Sequence, residues 1–342
     1  MHTHHTHSGS FCAHADPSST LELMFQTALN AGMTVFAMTE HMPRDDVDLY
    51  PEEIEAGDDE GTLMRRWEGF MGEAVRLRKN YYATGSVITE EEGRTSSSTK
   101  EGGEARGRRE MEVLIGIETE HIRPSTLTLL RSLLATPHGQ NIDYLLGSVH
   151  HVHTIPVDFD RATYLRARAA CSPPTDAQLA ADYFEAQFEM LHALRPQVVG
   201  HFDLIRLLAD EPDLDWRTRE GGEVWSKIER NLRFIKSYDG LLEINTSAWR
   251  KGLTDPYPRR EVVERWREMG GDVVLSDDSH SVSQIGTNYG RLKGFLGGCG
   301  VRRIAFLRRQ KGDGARNKQG TEEKEGLVGR CEVGYVDVEE SR

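Results

Sequence analysis

The chain repeatedly places a histidine or an acid at the end of a short apolar run. Phe36-Ala37-Met38-Thr39-Glu40-His41, Leu114-Ile115-Gly116-Ile117-Glu118, Gly147-Ser148-Val149-His150, Val198-Val199-Gly200-His201 and Val274-Leu275-Ser276-Asp277-Asp278-Ser279-His280 share this layout. Such a run reads as a strand buried on both faces. A potential metal ligand at the end of each strand is the arrangement of an α/β barrel whose site lies at the C-terminal mouth. An open sheet would gather its ligands at one switch point, whereas here nearly every strand end contributes.

Of the 14 histidines, several crowd the start, in Met1-His2-Thr3-His4-His5-Thr6-His7 and Phe11-Cys12-Ala13-His14. Threonine alternates with histidine, unlike the unbroken run of an expression tag. In a strand, residues i and i+2 point to the same side, so His5 and His7 can chelate one ion. His2 and His4 carry no such argument, and an exposed position is open to them.

Candidate strands are the first seven residues, Thr34–Thr39, Glu112–Gly116, Tyr144–Val149, Gln197–Gly200, Gly240–Ile244 and Asp272–Leu275. Helical patterns lie between them. Ser19 with Glu22 reads as a capping box opening a helix that ends at Gly32, and Thr175 with Gln178 opens a second. Further helices are expected at Thr62–Tyr82, Ser125–Ala135, Gly222–Ser237 and Arg260–Met269. This alternation predicts a parallel α/β fold, and a barrel suits it better than an open sheet.

With 342 residues the chain can form one large barrel domain, read here as 1–308. The apolar fraction is only 37%, and the shortfall is concentrated at 84–110 and 309–342. Both stretches are rich in Gly, Ser, Glu, Lys and Arg, so they read as a disordered insert and a disordered tail. The net charge of −13 argues against general nucleic-acid binding, which needs broad basic surfaces, but leaves room for a small phosphorylated substrate. Cys12, Cys171, Cys299 and Cys331 form no C-x-x-C, and reduced thiols are expected. No signal-like or membrane-spanning run is visible, so a cytoplasmic protein is expected.

The groups suited to divalent metals are His5, His7, His41, Glu118, His150, His201, Asp278 and His280, with His14 on a loop after the first of them. Imidazole with carboxylate suits Zn, Mn or Fe better than Ca or Mg. Glu118 follows an apolar run directly, which is costly for a carboxylate unless it is paired or metal-bound. It can bridge two ions, and ions so placed can generate a hydroxide nucleophile. Glu120 reads as a solvated neighbour. His150 abuts its strand and is favoured over His151, while His121, His138 and His192 read as ordinary residues.

As an ordered set these motifs resemble the PHP superfamily (polymerase and histidinol phosphatase). Phe11-Cys12-x-His14, Gly147-Ser148-Val149-His150-His151-Val152, and Glu243-Ile244-Asn245-Thr246-Ser247 with Arg250-Lys251 and Pro256-Tyr257-Pro258 resemble its monofunctional histidinol-phosphate phosphatases, particularly fungal ones. The resemblance covers about residues 1–308. This chain departs from the commonest pattern at Ser8-Gly9-Ser10, which lengthens the link to Phe11 by a residue. The resemblance implies a distorted (β/α)7 TIM-like barrel with three divalent ions. His5, His7, Glu118 and Asp278 would hold the first, Glu118, His150 and His201 the second, and His14, His41 and His280 the third. It further implies a histidinol-phosphatase of histidine biosynthesis, in which a metal-bridging hydroxide attacks the phosphorus of L-histidinol phosphate.

Arg250 is the first candidate for holding the phosphate, followed by Arg206 and Arg44, for which a surface ion pair is an equal alternative. Arg161 and Tyr164 lie on a long loop after His150, where substrate-binding lids often occur. Asp278 or an ion-bound water could protonate the leaving group. The alternatives are a PHP-type phosphoesterase acting on another small phosphate ester or a phosphodiester, and a catalytically idle metal-binding protein.

Overall fold

A computed structural model describes residues 1–84, 111–218, 222–310, 328 and 331–339. Its strands are β1 (His2–Thr3), β2 (Val35–His41), β3 (Glu112–Glu120), β4 (Tyr144–Ser148), β5 (His151–Val152), β6 (Ile155–Pro156), β7 (Val198–Val199), β8 (Leu241–Asn245), β9 (Val273–Ser276), β10 (Arg303–Arg309) and β11 (Cys331–Asp337). The helices are α1 (Leu21–Asn30), α2 (Pro51–Ala56), α3 (Glu60–Thr84), α4 (Pro124–Ala135), α5 (Arg161–Ala169), α6 (Asp176–Leu194), α7 (Glu223–Ser237), α8 (Ser247–Arg250), α9 (Arg260–Glu268) and α10 (Tyr289–Gly298).

Seven parallel strands run in the order β1-β2-β3-β4-β7-β8-β9. Beyond Thr3 the first segment stops being a regular ladder, yet it seals the barrel. The His4 amide donates to the Leu275 carbonyl (3.2 Å) and the His7 amide to that of Ser279 (2.7 Å), with a parallel bridge between Thr6 and Ser279. The result is a nearly closed, distorted barrel, as expected.

The period of two along each strand divides the barrel. Val35, Ala37, Leu114, Tyr144, Leu146, Val198, Leu241 and Val274 form an inner apolar cluster, closed from below by Ala305 and Leu307 of β10. Their neighbours Phe36, Met38, Val113, Ile115, Leu145, Val199, Leu242, Ile244, Val273 and Leu275 face outward into the shell shared with the helices. Continuing the inward rows gives Thr39 and His41, Glu118 and Glu120, Ser148 and His150, Glu243 and Asn245, and Ser276 and Asp278. One alternation therefore makes an apolar floor and a polar mouth. Gly116 occupies an inward position because a Cβ there would lie 2.7 Å from the Tyr144 ring.

Several expectations are corrected. His2 and His4 are buried. His4 is part of the floor: its Nδ1 donates to the Leu275 carbonyl at 3.2 Å and its Nε2 accepts from the Leu307 amide at 3.1 Å. Burial lowers its pKa to about 4, so it is a neutral structural imidazole. The cap of α1 is Thr20, whose hydroxyl accepts from the Leu23 amide, and not Ser19. Ser19 instead donates to Asp16 and accepts from the Val282 amide, while Glu22 pairs with Arg76 of α3. The cap at Thr175 is as expected, accepting from the Gln178 amide.

The stretch 309–342 is not all tail, because β11 pairs antiparallel with β10 in the register Ile304 to Val336, and Val328 and Val338 are buried. Its composition hid this, since β11 is largely exposed, Val333 and Tyr335 included, and lies beyond a stretch poor in apolar residues. The insert at 84–110 lies outside the described residues except for Thr84, which ends α3.

Candidate metal centre

Glu118 stands at the middle of the polar mouth, 1% exposed. Its Oε2 lies 3.2 Å from Nε2 of both His5 and His7 and 3.1 Å from Nδ1 of His41. Its Oε1 faces a second group, His201 Nε2 at 2.9 Å and His150 Nε2 at 3.4 Å. The two imidazole groups thus meet at the two oxygens of one carboxylate. Asp278 Oδ1 approaches from β9, 3.6 Å from His5 Nε2 and 3.8 Å from His7 Nε2.

Deeper carboxylates set the direction of the rings. His5 Nδ1 donates to Glu243 at 3.0 Å and His7 Nδ1 to Glu40 at 3.2 Å, so both Nε2 atoms present lone pairs. Those two Nε2 atoms are 2.9 Å apart, and the Nε2 atoms of His150 and His201 are 3.2 Å apart. Ring nitrogens so close, next to a carboxylate oxygen, suit a shared cation once their protons are displaced. Glu118 Oε2, both ring nitrogens of His41, and Nδ1 of His150 and His201 are buried without hydrogen-bond partners. Buried polar atoms are normally satisfied, and a divalent ion would satisfy several at once. The residues therefore fit metal binding.

The ligand atoms gather into sets within one ion's reach: His5, His7 and Asp278; His5, Glu118 and His201; His41, Glu120 and His150; and His7, Cys12, His41 and His280. His14 lies at the rim, its ring centre 4.9 Å from that of His280 and 5.3 Å from that of His41. His151 stays outside these sets, packing against Tyr50. His121 pairs with Glu189, His138 packs on Trp67 and His192 on Phe234.

Burial opposes every charge here, yet the groups hold one another ionised. Glu118 lies well below the usual carboxylate range because His5, His41 and His150 outweigh its desolvation. Asp278 is likewise depressed by His5, His280 and Lys251. Desolvation also works against protonated His7, but Glu118 and Glu40 outweigh it and raise its pKa to about 9; Glu118 raises His150 to about 9 in the same way.

The candidate arginines each have partners within the chain. Arg250 Nη1 and Nη2 donate to the carbonyls of Asp277 (2.5 Å) and Asp278 (2.7 Å), which fixes the turn that presents Asp278. Arg206 is buried, donating to the Asp255 and Pro256 carbonyls and paired with Asp203. Arg44 is no surface residue: it is buried between Glu53 and Glu120, over the Tyr50 ring. Glu120 is correspondingly buried and paired, where a solvated neighbour was expected. Arg161 binds Asp210 and the Leu208 carbonyl, and Tyr164 is buried in the outer shell.

Glu40, Glu243 and Lys251 were missed. Glu243 carries the same signal as Glu118, a carboxylate inside the apolar run Leu241-Leu242-Glu243-Ile244. Lys251 is exposed at the mouth, its charge bearing on Asp278 and His280.

A family model described as the PHP domain matches residues 3–247. The chain is 39% identical over 304 residues to a Schizosaccharomyces pombe protein named "Probable histidinol-phosphatase", with 89% of this chain and 88% of that one covered. It is 30% identical over 322 residues to the histidinol-phosphatase of Saccharomyces cerevisiae, covering 86% and 88% respectively. Its fold is similar to that of histidinol phosphate phosphatase from Lactococcus lactis, crystallised with zinc, L-histidinol and phosphate. That match has a TM-score of 0.59 at 16% identity and covers 89% of this chain and 95% of the other.

Proposed function

The chain belongs to the PHP domain family, and on that footing we propose that it is a metal-dependent phosphomonoesterase that hydrolyses L-histidinol phosphate to L-histidinol and phosphate in histidine biosynthesis. The observation that carries this reading is the Glu118 carboxylate, flanked on its two oxygens by imidazoles from separate strand ends. The relatives aligned along most of the chain supply the substrate.

Three ions are assigned: one to His5, His7, Glu118 and Asp278, one to Glu118, His150 and His201, and one to His14, His41 and His280. Glu120 and Cys12 stand beside the third, and zinc, manganese or iron suits the donors. Divalent ions held here would supply an activated water and charge neutralisation for the phosphoryl oxygens. The protein's own groups do the rest. Glu118 joins the two imidazole groups, while Glu243 and Glu40 hold His5 and His7 in the tautomer that turns Nε2 inward. Asp278, held well below the usual carboxylate range by His5, His280 and Lys251, is suited to serve as a ligand. Arg250 positions Asp278 through the backbone of its turn, and Lys251 is the cation that meets the phosphate monoester.

No helix among the described residues is long and apolar enough to cross a membrane, and the four cysteines are unbridged. A reducing cytoplasm suits such a protein.

Phosphate release by the metal-loaded protein tests the reading. L-histidinol phosphate should be turned over at least about a hundredfold more efficiently than p-nitrophenyl phosphate, a preference that even apolar pocket contacts can reach. A short oligonucleotide should stay intact. Cleavage of the oligonucleotide in preference to the monoester would point to a phosphodiesterase.

Lys251→Ala should raise KM for the phosphate ester about tenfold or more, the expected cost of losing a charged hydrogen bond, with metal content unchanged. An unaltered KM would remove Lys251 from the substrate contacts.

Metal affinity should depend on pH with a definite sign. Below their raised pKa of about 9, His7 and His150 are protonated in the metal-free protein and a metal must displace those protons. Affinity therefore rises with pH up to about 9, by up to roughly tenfold per pH unit for each histidine involved. Titration with zinc at several pH values reads the slope, and a flat profile would contradict the assignment of these two imidazoles.

A further inference from the structure

Away from the barrel mouth, His153, Cys171 and Asp182 converge from three elements: the turn between β5 and β6, the chain just after α5, and the first half of α6. His153 Nε2 lies 2.8 Å from Asp182 Oδ2 and 3.7 Å from Cys171 Sγ. All three potential ligand atoms lie within 4.8 Å of one another. We propose that these side chains form a separate zinc site that pins the β5–β6 hairpin to α6.

Nitrogen, sulfur and carboxylate oxygen together form a zinc-type donor set. In a tetrahedral shell with bonds of ~2.0–2.3 Å, ligand atoms sit roughly 3.3–3.7 Å apart. The His153–Cys171 spacing already meets that, and the His153–Asp182 contact needs to open by about half an ångström. Cys171 is buried, Asp182 half-buried and His153 exposed, so the thiol closes the inner side and a water can complete the shell from solvent. Gln178 Nε2 donates to Asp182 Oδ1 at 2.8 Å, which orients the carboxylate as supporting groups do around metal ligands. Zinc binding expels the Cys171 thiol proton to solvent.

The backbone supplies an independent sign. His153 and Thr154 both have positive φ, 52° and 62°. A two-residue hairpin of this kind usually carries Asn-Gly, and a β-branched residue such as Thr154 is an outlier there. Strain of this sort persists where surrounding structure imposes it, and here it aims His153 at Asp182. The hairpin follows His150 directly, and the Val157 amide donates to the His150 carbonyl at 2.9 Å. Pinning the hairpin therefore steadies a histidine of the main cluster.

Loading the full chain with cobalt(II) tests the site, because a thiolate ligand gives a sulfur-to-cobalt absorption that imidazole and carboxylate ligands do not. The expected result is such a band in the wild type, and its loss in Cys171→Ser together with about one bound metal per chain. Asp182→Asn, at a half-buried position that spares the core, should keep the band but weaken cobalt binding at this site about tenfold or more. Cys12→Ser controls for the thiol that lies beside the histidine cluster. A band and metal count that survive Cys171→Ser, or a band lost only in Cys12→Ser, would overturn the proposal.

Discussion

Replacing Glu118 by glutamine is expected to reduce phosphate release from L-histidinol phosphate by about a thousandfold or more, with bound metal falling in parallel. Removing a single preorganised electrostatic contact typically costs ~10²–10³ in rate, and Glu118 serves two ligand groups at once. Its Oε2 faces His5, His7 and His41, and its Oε1 faces His150 and His201. Glutamine keeps the shape, but one oxygen becomes an NH2 donor aimed at lone pairs, and the charge disappears. The fold should survive, since the barrel floor and the outer shell do not involve Glu118. Elemental analysis and circular dichroism alongside the assay separate loss of metal from loss of fold. Activity within tenfold of wild type in the variant would sink the central role of this carboxylate.

Exhaustive chelation should abolish turnover and also lower the melting temperature, by about 10 °C. A ligand at a thousand times its Kd stabilises the fold by ~4 kcal/mol, and in chains larger than ~150 residues each kcal/mol moves the midpoint by roughly 2–4 °C. The physical cause is the crowd of buried imidazoles and carboxylates at the mouth, several of whose atoms have no hydrogen-bond partner. A shared cation adds to the pairing among these groups and occupies the atoms that lack a partner. Restoring zinc, manganese or iron one at a time should bring back both readouts and identify the effective metal. Full turnover by protein shown to be metal-free would reject the metal-dependent reading outright.

Much of the barrel was legible in the chain because its signals are local. Alternation with a period of two identifies which residues face inward, and the same alternation carries the apolar floor at Val35 and Ala37 up to His41 at the mouth. Boundaries were harder. Ser19 and Thr20 are both good caps by residue type, and the bonds to Asp16 and Val282 draw Ser19 away from the helix. The strand β11 was hidden because it is one short, largely exposed strand whose partner β10 lies across a long stretch of low-complexity sequence. The partners of the arginines were hidden for a related reason: a charge on a loop looks free until the carbonyls or carboxylates around it are known. Arg44, Arg161 and Arg206 all proved to be committed to such partners.

By itself the sequence determined that strands alternate with helices, and which imidazoles and acids stand at the strand ends, because both follow from short-range periodicity and burial. The tertiary structure alone decided which nitrogen faces which oxygen. His5 meets Glu243 across 238 residues, and Thr3 meets Asp277 across 274. Those pairings depend on how the barrel closes and on the stagger between its strands, and a linear pattern carries no information about either.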